Sequence, residues 1–129
     1  VRMEGRITTD EVREHYLAAG RYVLHTRPRA SIWDLSGVTS LEVSTDAVAK
    51  LARSVPALPE PNRPRIIVAS SAHVFGLARM FQALGEGARP RLKVVRTLEE
   101  ACAALGVSQP RFEPLAPLDS APAPDPGQA

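Results

Sequence analysis

Aromatic residues make up only 5% of this chain. A core cannot rest on large rings here and must be assembled from Val, Leu, Ile and Ala. Cysteine is nearly absent too. With Cys102 alone, no disulfide can close within the chain and a cysteine-built metal site is excluded. His15, His25 and His73 are scattered without ligand spacing, so neither a metal nor any other cofactor is expected. Lysine is scarce: Lys50 and Lys93 are the only two among 16 basic residues. No apolar run reaches the length of about 20 residues that a membrane span needs. No stretch reads as a secretory signal. The expected location is the cytoplasm, where a lone cysteine stays reduced.

What is present suits one globular domain. The chain has 129 residues, 44% hydrophobic and 23% charged. Net charge is +2 and the pI about 9.1. The arginines run from Arg2 to Arg111, interleaved with Asp and Glu. A nucleic-acid surface gathers its charge on one face, so none is expected. The densest basic stretch is Arg89, Arg91, Lys93 and Arg96. It reads as a solvated strand edge and lacks aromatic platforms for bases.

Hydrophobic spacing then lays out the elements. Val1, Met3 and Gly5 alternate with Arg2, Glu4 and Arg6, which predicts a half-exposed strand. Because the chain opens inside that strand, residues before Val1 are expected to be missing. Thr8 and Glu11 have capping-box spacing, Val12, Tyr16 and Ala19 share a helix face, and Gly20 is expected to end that helix. Tyr22 to Leu24 has strand composition. Ser31 to Leu35 reads as a buried strand, with Gly37 marking the turn after it.

A second helix is predicted from Val48, Leu51, Ala52 and Val55, with Ser44 or Thr45 as cap, Asp46 in the first turn and Pro56 as the stop. Ile66 to Ala69 is a continuous apolar run, the pattern of a central strand covered on both faces. Val74, Leu77, Ala78, Phe81 and Leu84 stripe a third helix closed by Gly85 and Gly87. Gly76 lies inside it, either for close packing or at the helix start. Leu92 to Val95 is another strand. Thr97 and Glu100 open a fourth helix striped by Leu98, Ala101, Cys102 and Leu105, which Gly106 ends.

Alternating strands and helices predict an α/β fold: one mixed or largely parallel sheet of four to five strands with about four helices. The domain is expected over 1–107. Half of the 12 prolines follow Ser108, so 108–129 reads as a disordered Pro/Ala-rich tail.

Asp34-Leu35-Ser36-Gly37-Val38-Thr39, followed by an apolar-striped helix, resembles the central strand and loop of STAS domains, the sulfate transporter and anti-sigma-factor antagonist domains. Ile66 to Ser71 leading into Phe75-Gly76-Leu77-Ala78-Arg79-Met80-Phe81, with Glu99 to Leu105, resembles the SpoIIAA-like group of bacterial proteins. That group is STAS-like and is also similar to the CRAL-TRIO lipid-binding fold. The likeness spans Val1 to Val107 and implies a further strand before Val1.

The resemblance implies a non-enzymatic regulatory or protein-interaction domain, in the manner of an anti-sigma-factor antagonist. Its partner would bind the 36–46 loop and the helix after it, through Ser36, Glu42, Ser44, Thr45 and Asp46. Signalling members carry Asp-Ser-Ser-Gly, whose second serine is phosphorylated. Here the motif falls on Glu42-Val43-Ser44-Thr45: the acid and second serine are kept, the first serine and the glycine are not. Ser44 is thus the candidate phosphorylation site and equally an ordinary N-cap. The CRAL-TRIO likeness implies the alternative, a carrier or sensor of a small apolar or lipid-like ligand. An enzyme would need a convergent acid, base and nucleophile, and the sequence offers no such set.

Overall fold

The computed structural model describes residues 1–108 together with Pro110 and Phe112. Eight elements alternate: β1 (Arg2–Thr8), α1 (Thr9–Thr26), β2 (Ser31–Glu42), α2 (Thr45–Arg53), β3 (Arg65–Val68), α3 (Ala72–Leu84), β4 (Leu92–Val95) and α4 (Leu98–Leu105). The strands form one sheet in the order β1-β2-β3-β4, every neighbouring pair parallel. The expected α/β class, with a single parallel sheet and four helices, is what the chain adopts.

The strand order dictates the layers. Each crossover advances one strand in the same direction, so a constant hand places successive helices on one face. Val12 of α1 and Val74 and Ala78 of α3 accordingly share a core with Met3, Ile7, Trp33 and Ile67. α4 follows the last strand and covers the opposite face. There Ala101, Leu98 and Leu105 pack on Ile66, Val68, Ile32 and Val95. β3 is buried along its whole length, as its unbroken apolar run predicts.

Hydroxyl caps start all four helices. The Thr8 hydroxyl accepts from the Glu11 amide while the Glu11 carboxylate accepts from the Thr8 amide, completing the capping box. Ser44, Ser71 and Thr97 each accept an amide from the residue three positions on. Such a cap is worth about 1 kcal/mol.

Four local expectations are corrected. Gly20 does not end the first helix, and Tyr22 to Leu24 is helical rather than a strand. α1 runs on for 18 residues, to a left-handed Arg27 (φ 45°) whose amide reaches the Val23 carbonyl at 2.9 Å. Pro28 disfavours helix in the residue before it and sets that end. Gly37 is not a turn, because β2 continues through it to Glu42. It sits opposite Glu4 between two register shifts, and a Cβ there would stand 3.0 Å from the Glu4 Cγ. The missing side chain leaves room there for Glu4 on the neighbouring strand. Gly76 neither packs closely nor opens its helix: a Cβ would meet nothing within 4 Å, and α3 begins at Ala72.

The proposed tail falls outside the described residues apart from Ser108, Pro110 and Phe112. The Arg2 guanidinium lies 4.0 Å from the centre of the Phe112 ring, so the chain touches the domain that far.

Candidate functional site: an apolar cavity beneath the first helix

α2 and α3 pack closely on each other, whereas the close backbone approaches of α1 are few and are mostly to β1. The sequence of α1 explains the gap. Its inward stripe carries Val12, Tyr16, Ala19 and Val23, and only Ala19 is buried. The Tyr16 ring meets Trp33 of β2 at a centroid distance of 6.2 Å, tilted by 32°. Two large rings in contact hold α1 away from the sheet instead of letting it settle.

The space left is a cavity of about 770 Å³, partly open to solvent. Ligand sites typically occupy about 300–1,000 Å³. Its floor is Met3, Trp33, Leu35 and Ile67 of the sheet, and its roof the α1 stripe. α2 and the loop after it supply Val48, Leu51 and Leu58, and α3 supplies Val74, Leu77 and Phe81. The lining is mostly aliphatic, with a few polar groups set into it.

Two of those groups are buried arginines. Arg89 is 4% exposed and Arg65 5%. Arg89 Nη1 donates to the Ala52 carbonyl at 2.8 Å. Its Nη2 donates to the Tyr16 hydroxyl at 2.7 Å and to the carbonyls of Ser54 and Leu51 at 3.2 and 3.4 Å. The Tyr16 hydroxyl in turn donates to the Val55 carbonyl at 2.5 Å. Arg89 thereby closes the C-terminal end of α2, where exposed carbonyls carry partial negative charge. Its guanidinium also lies 4.6 Å from the centre of the Phe81 ring.

Arg65 holds the proline-rich loop in the same way. Its two terminal nitrogens donate to the carbonyls of Leu58, Glu60, Pro61 and Arg63. Burial first, and then the neighbouring Arg89 cation, hold its guanidinium below the ordinary arginine pKa.

The residues nominated for partner binding lie along β2 and at the start of α2. Only Val43 and the cap Ser44 separate the two elements, so 36–46 is mostly strand and not a loop. Ser36 serves Asp34: its hydroxyl donates to Asp34 Oδ1 at 2.6 Å and its amide at 3.0 Å. Arg2 Nε adds a third bond, to Oδ2 at 3.0 Å. Burial raises the Asp34 pKa, but these bonds outweigh it and hold the carboxyl below its ordinary value.

Glu42 is forked by Arg6, which lowers its pKa. Ser44 is exposed, and its Oγ accepts the Ala47 amide at 3.1 Å. Thr45 and Asp46 are exposed in the first turn of α2. Large exposed apolar side chains occur at Leu17, Tyr22, Leu24, Val55, Leu84 and Val107, none within 36–46. His73 stands at the start of α3, its Nε2 3.3 Å from the Leu41 carbonyl. Cys102 is half-buried on α4.

Among the described residues, no three His, Cys, Asp or Glu gather where a metal could sit. Nor is any helix among the described residues long and apolar enough to cross a membrane.

Sequence reasoning passed over Arg65 and Arg89. The reading of Arg89 to Arg96 as a solvated strand edge suits Arg91 and Lys93, which are exposed, and fails for Arg89, which is buried. A usable signal was there: Arg65 begins a strand whose every following residue is apolar, a setting where a cation must be enclosed. Comparison with protein-family models, curated proteins and solved structures finds no match.

Proposed function

We propose that this chain is a non-enzymatic binding domain that takes up a small apolar or lipid-like molecule beneath α1, acting as a carrier or sensor in the cytoplasm. The observation that carries the reading is the cavity of about 770 Å³, lined mainly by aliphatic side chains. An apolar guest would replace poorly solvated space with van der Waals contact, and burying apolar area contributes about 25 cal/mol per Å². The looseness of α1 provides a way in, since a helix held by few contacts opens at low cost. The CRAL-TRIO side of the family resemblance agrees with this role, and the single half-buried cysteine suits a reducing compartment.

The test uses the neutral dye N-phenyl-1-naphthylamine, whose emission rises in apolar surroundings. Saturable one-site enhancement is expected for the parent, displaced by 1-dodecanol. Val23→Trp and Leu51→Trp, each placing a ring in the cavity, should bind the dye at least tenfold more weakly while keeping the parent's circular dichroism. An absence of saturable enhancement in the folded parent overturns the reading.

A second reading rests on Ser44. Its hydroxyl is exposed at the positive end of α2, between Glu42 and Asp46. A phosphate there would add about −1.5 to −2 charges beside a helix start that favours anions. Through this residue the STAS-like regulatory role remains a proposal, with a protein partner meeting Ser36 to Asp46. Partner binding should fall for Ser44→Asp and persist for Ser44→Ala. Equal binding by both variants removes the regulatory role.

A further inference from the structure

The two buried arginines say what kind of apolar molecule the cavity takes. We propose that the ligand is an amphipathic carboxylate, its head group held by Arg89 and Arg65 and its hydrocarbon tail running beneath α1. The inference rests on the cavity being a binding site, as argued above.

Charge is the first argument. Among the described residues the ion pairs are Arg2–Asp34, Arg6–Glu42 and Arg13–Asp10. None involves Arg65 or Arg89, the two most enclosed cations bordering the cavity. Their hydrogen-bond partners are backbone carbonyls and the Tyr16 hydroxyl, dipoles that offset a full charge only in part. Buried charges are ordinarily paired. Here two like charges line one cavity, and burial first and then the Arg89 cation lower the Arg65 pKa. An anion entering the cavity meets both.

Donor supply narrows the head group. A guanidinium has five N–H groups in a planar fork. The terminal nitrogens of Arg65 and Arg89 already serve seven carbonyls and one hydroxyl between them. About three N–H groups remain, the two Nε and one on Arg89 Nη1, enough for the two oxygens of a carboxylate and fewer than the several bonds that three phosphate oxygens take up. The Tyr16 hydroxyl is committed at both ends.

Topology supplies the direction. Arg65 opens β3 and Arg89 lies just before β4, so both stand at the N-terminal edge of the parallel sheet. Leu41, Val43 and Val74, at the opposite edge, line the same cavity with apolar side chains alone. A head at the first edge leaves the tail mainly apolar contacts toward the second.

The experiment displaces N-phenyl-1-naphthylamine from the full chain with four twelve-carbon competitors at pH 7.5: dodecanoate, methyl dodecanoate, 1-dodecanol and dodecyl phosphate. Dodecanoate should displace the dye at a concentration at least tenfold lower than the ester and the alcohol, and lower than the phosphate. Arg89→Met, checked by circular dichroism, should shrink the acid-to-alcohol ratio to below threefold. If that variant unfolds, the four-way comparison on the parent decides alone. Equal potency of acid, ester and alcohol overturns the carboxylate assignment and leaves the cavity reading standing. Tighter displacement by dodecyl phosphate than by dodecanoate also overturns it. Displacement by none of the four overturns both.

Discussion

β3 turns Ile66 and Val68 toward α4 and Ile67 toward the other helices, so one four-residue strand reports on both sides of the sheet. On the α4 side the contact is sealed: Ile66 is 2% exposed, and Val68 and Ala101 are at 0%. On the other side, Ile67 borders a cavity, with Trp33 and Leu51 only half-buried. The difference follows side-chain size more than helix length. α4 has eight residues and meets the sheet through Ala101, so its backbone comes close. α1 has 18 residues and meets the sheet through Tyr16 against Trp33, so it is propped away. A long amphipathic helix is therefore no guarantee of a filled core beneath it.

The largest effect should come from the sealed side. Ile66→Ala removes methyl groups from a site with no room to collapse and should cost about 2–5 kcal/mol. Leu51→Ala, on the cavity wall, enlarges space that already exists and should cost under about 2 kcal/mol, close to the transfer term alone. Urea midpoints for both variants check the contrast. Equal losses would mean that the cavity side is as tightly filled as the other.

Asp34 of β2 is tied to β1 through Arg2, while Ser36 of its own strand holds the carboxylate in place. Its folded pKa is depressed, so the stability it contributes is present above the unfolded carboxylate value of about 3.9 and is lost as pH falls through the lower folded value. The parent's urea midpoint should decline on acidification below about pH 4, and the decline should be shallower in Asp34→Asn. Parallel pH profiles for the two proteins would show that this carboxylate carries no acid sensitivity.

Ser44 lies outside both packed interiors and calibrates the purely local terms. Ser44→Ala should lose about 0.5–2 kcal/mol through the cap on the Ala47 amide, while Ser44→Asp should stay close to the parent. A loss on the Ile66→Ala scale would mean that α2 depends on its cap more than on Val48 and Ala52. The smallest effect, and the one expected gain, is Gly76→Ala. The glycine is helical and exposed with open space where a Cβ would stand, so the change should add about 0.5–1 kcal/mol. Thermal unfolding of the variant checks the sign, and a lowered midpoint would mean that α3 needs flexibility at that point.

Elements whose signals were local could be read from the chain directly. Thr8 with Glu11, Ser44, and Thr97 with Glu100 are all caps as their spacing predicts. The continuous apolar run in β3 marks the strand enclosed on both faces. Glycine was the misleading letter. Gly20 and Gly37 look like stops, yet helix and strand pass through both, because Tyr22 and Val23 still have a cavity to line and β2 still has β1 to pair with. Arg89 shows the same limit in a charged residue. Its neighbours Arg91 and Lys93 are exposed, whereas the α2 C-terminus, Tyr16 and Phe81 together enclose it.

Periodicity, caps and chain breaks by themselves determined the order of strands and helices, and hence the α/β class, because each of those signals acts within a few residues. The cavity and its paired arginines were decided by tertiary structure alone. Both depend on how far α1 stands from the sheet and on which carbonyls meet at the end of α2, distances set between residues well separated in the chain: Tyr16 and Trp33, Ala52 and Arg89, Tyr16 and Arg89.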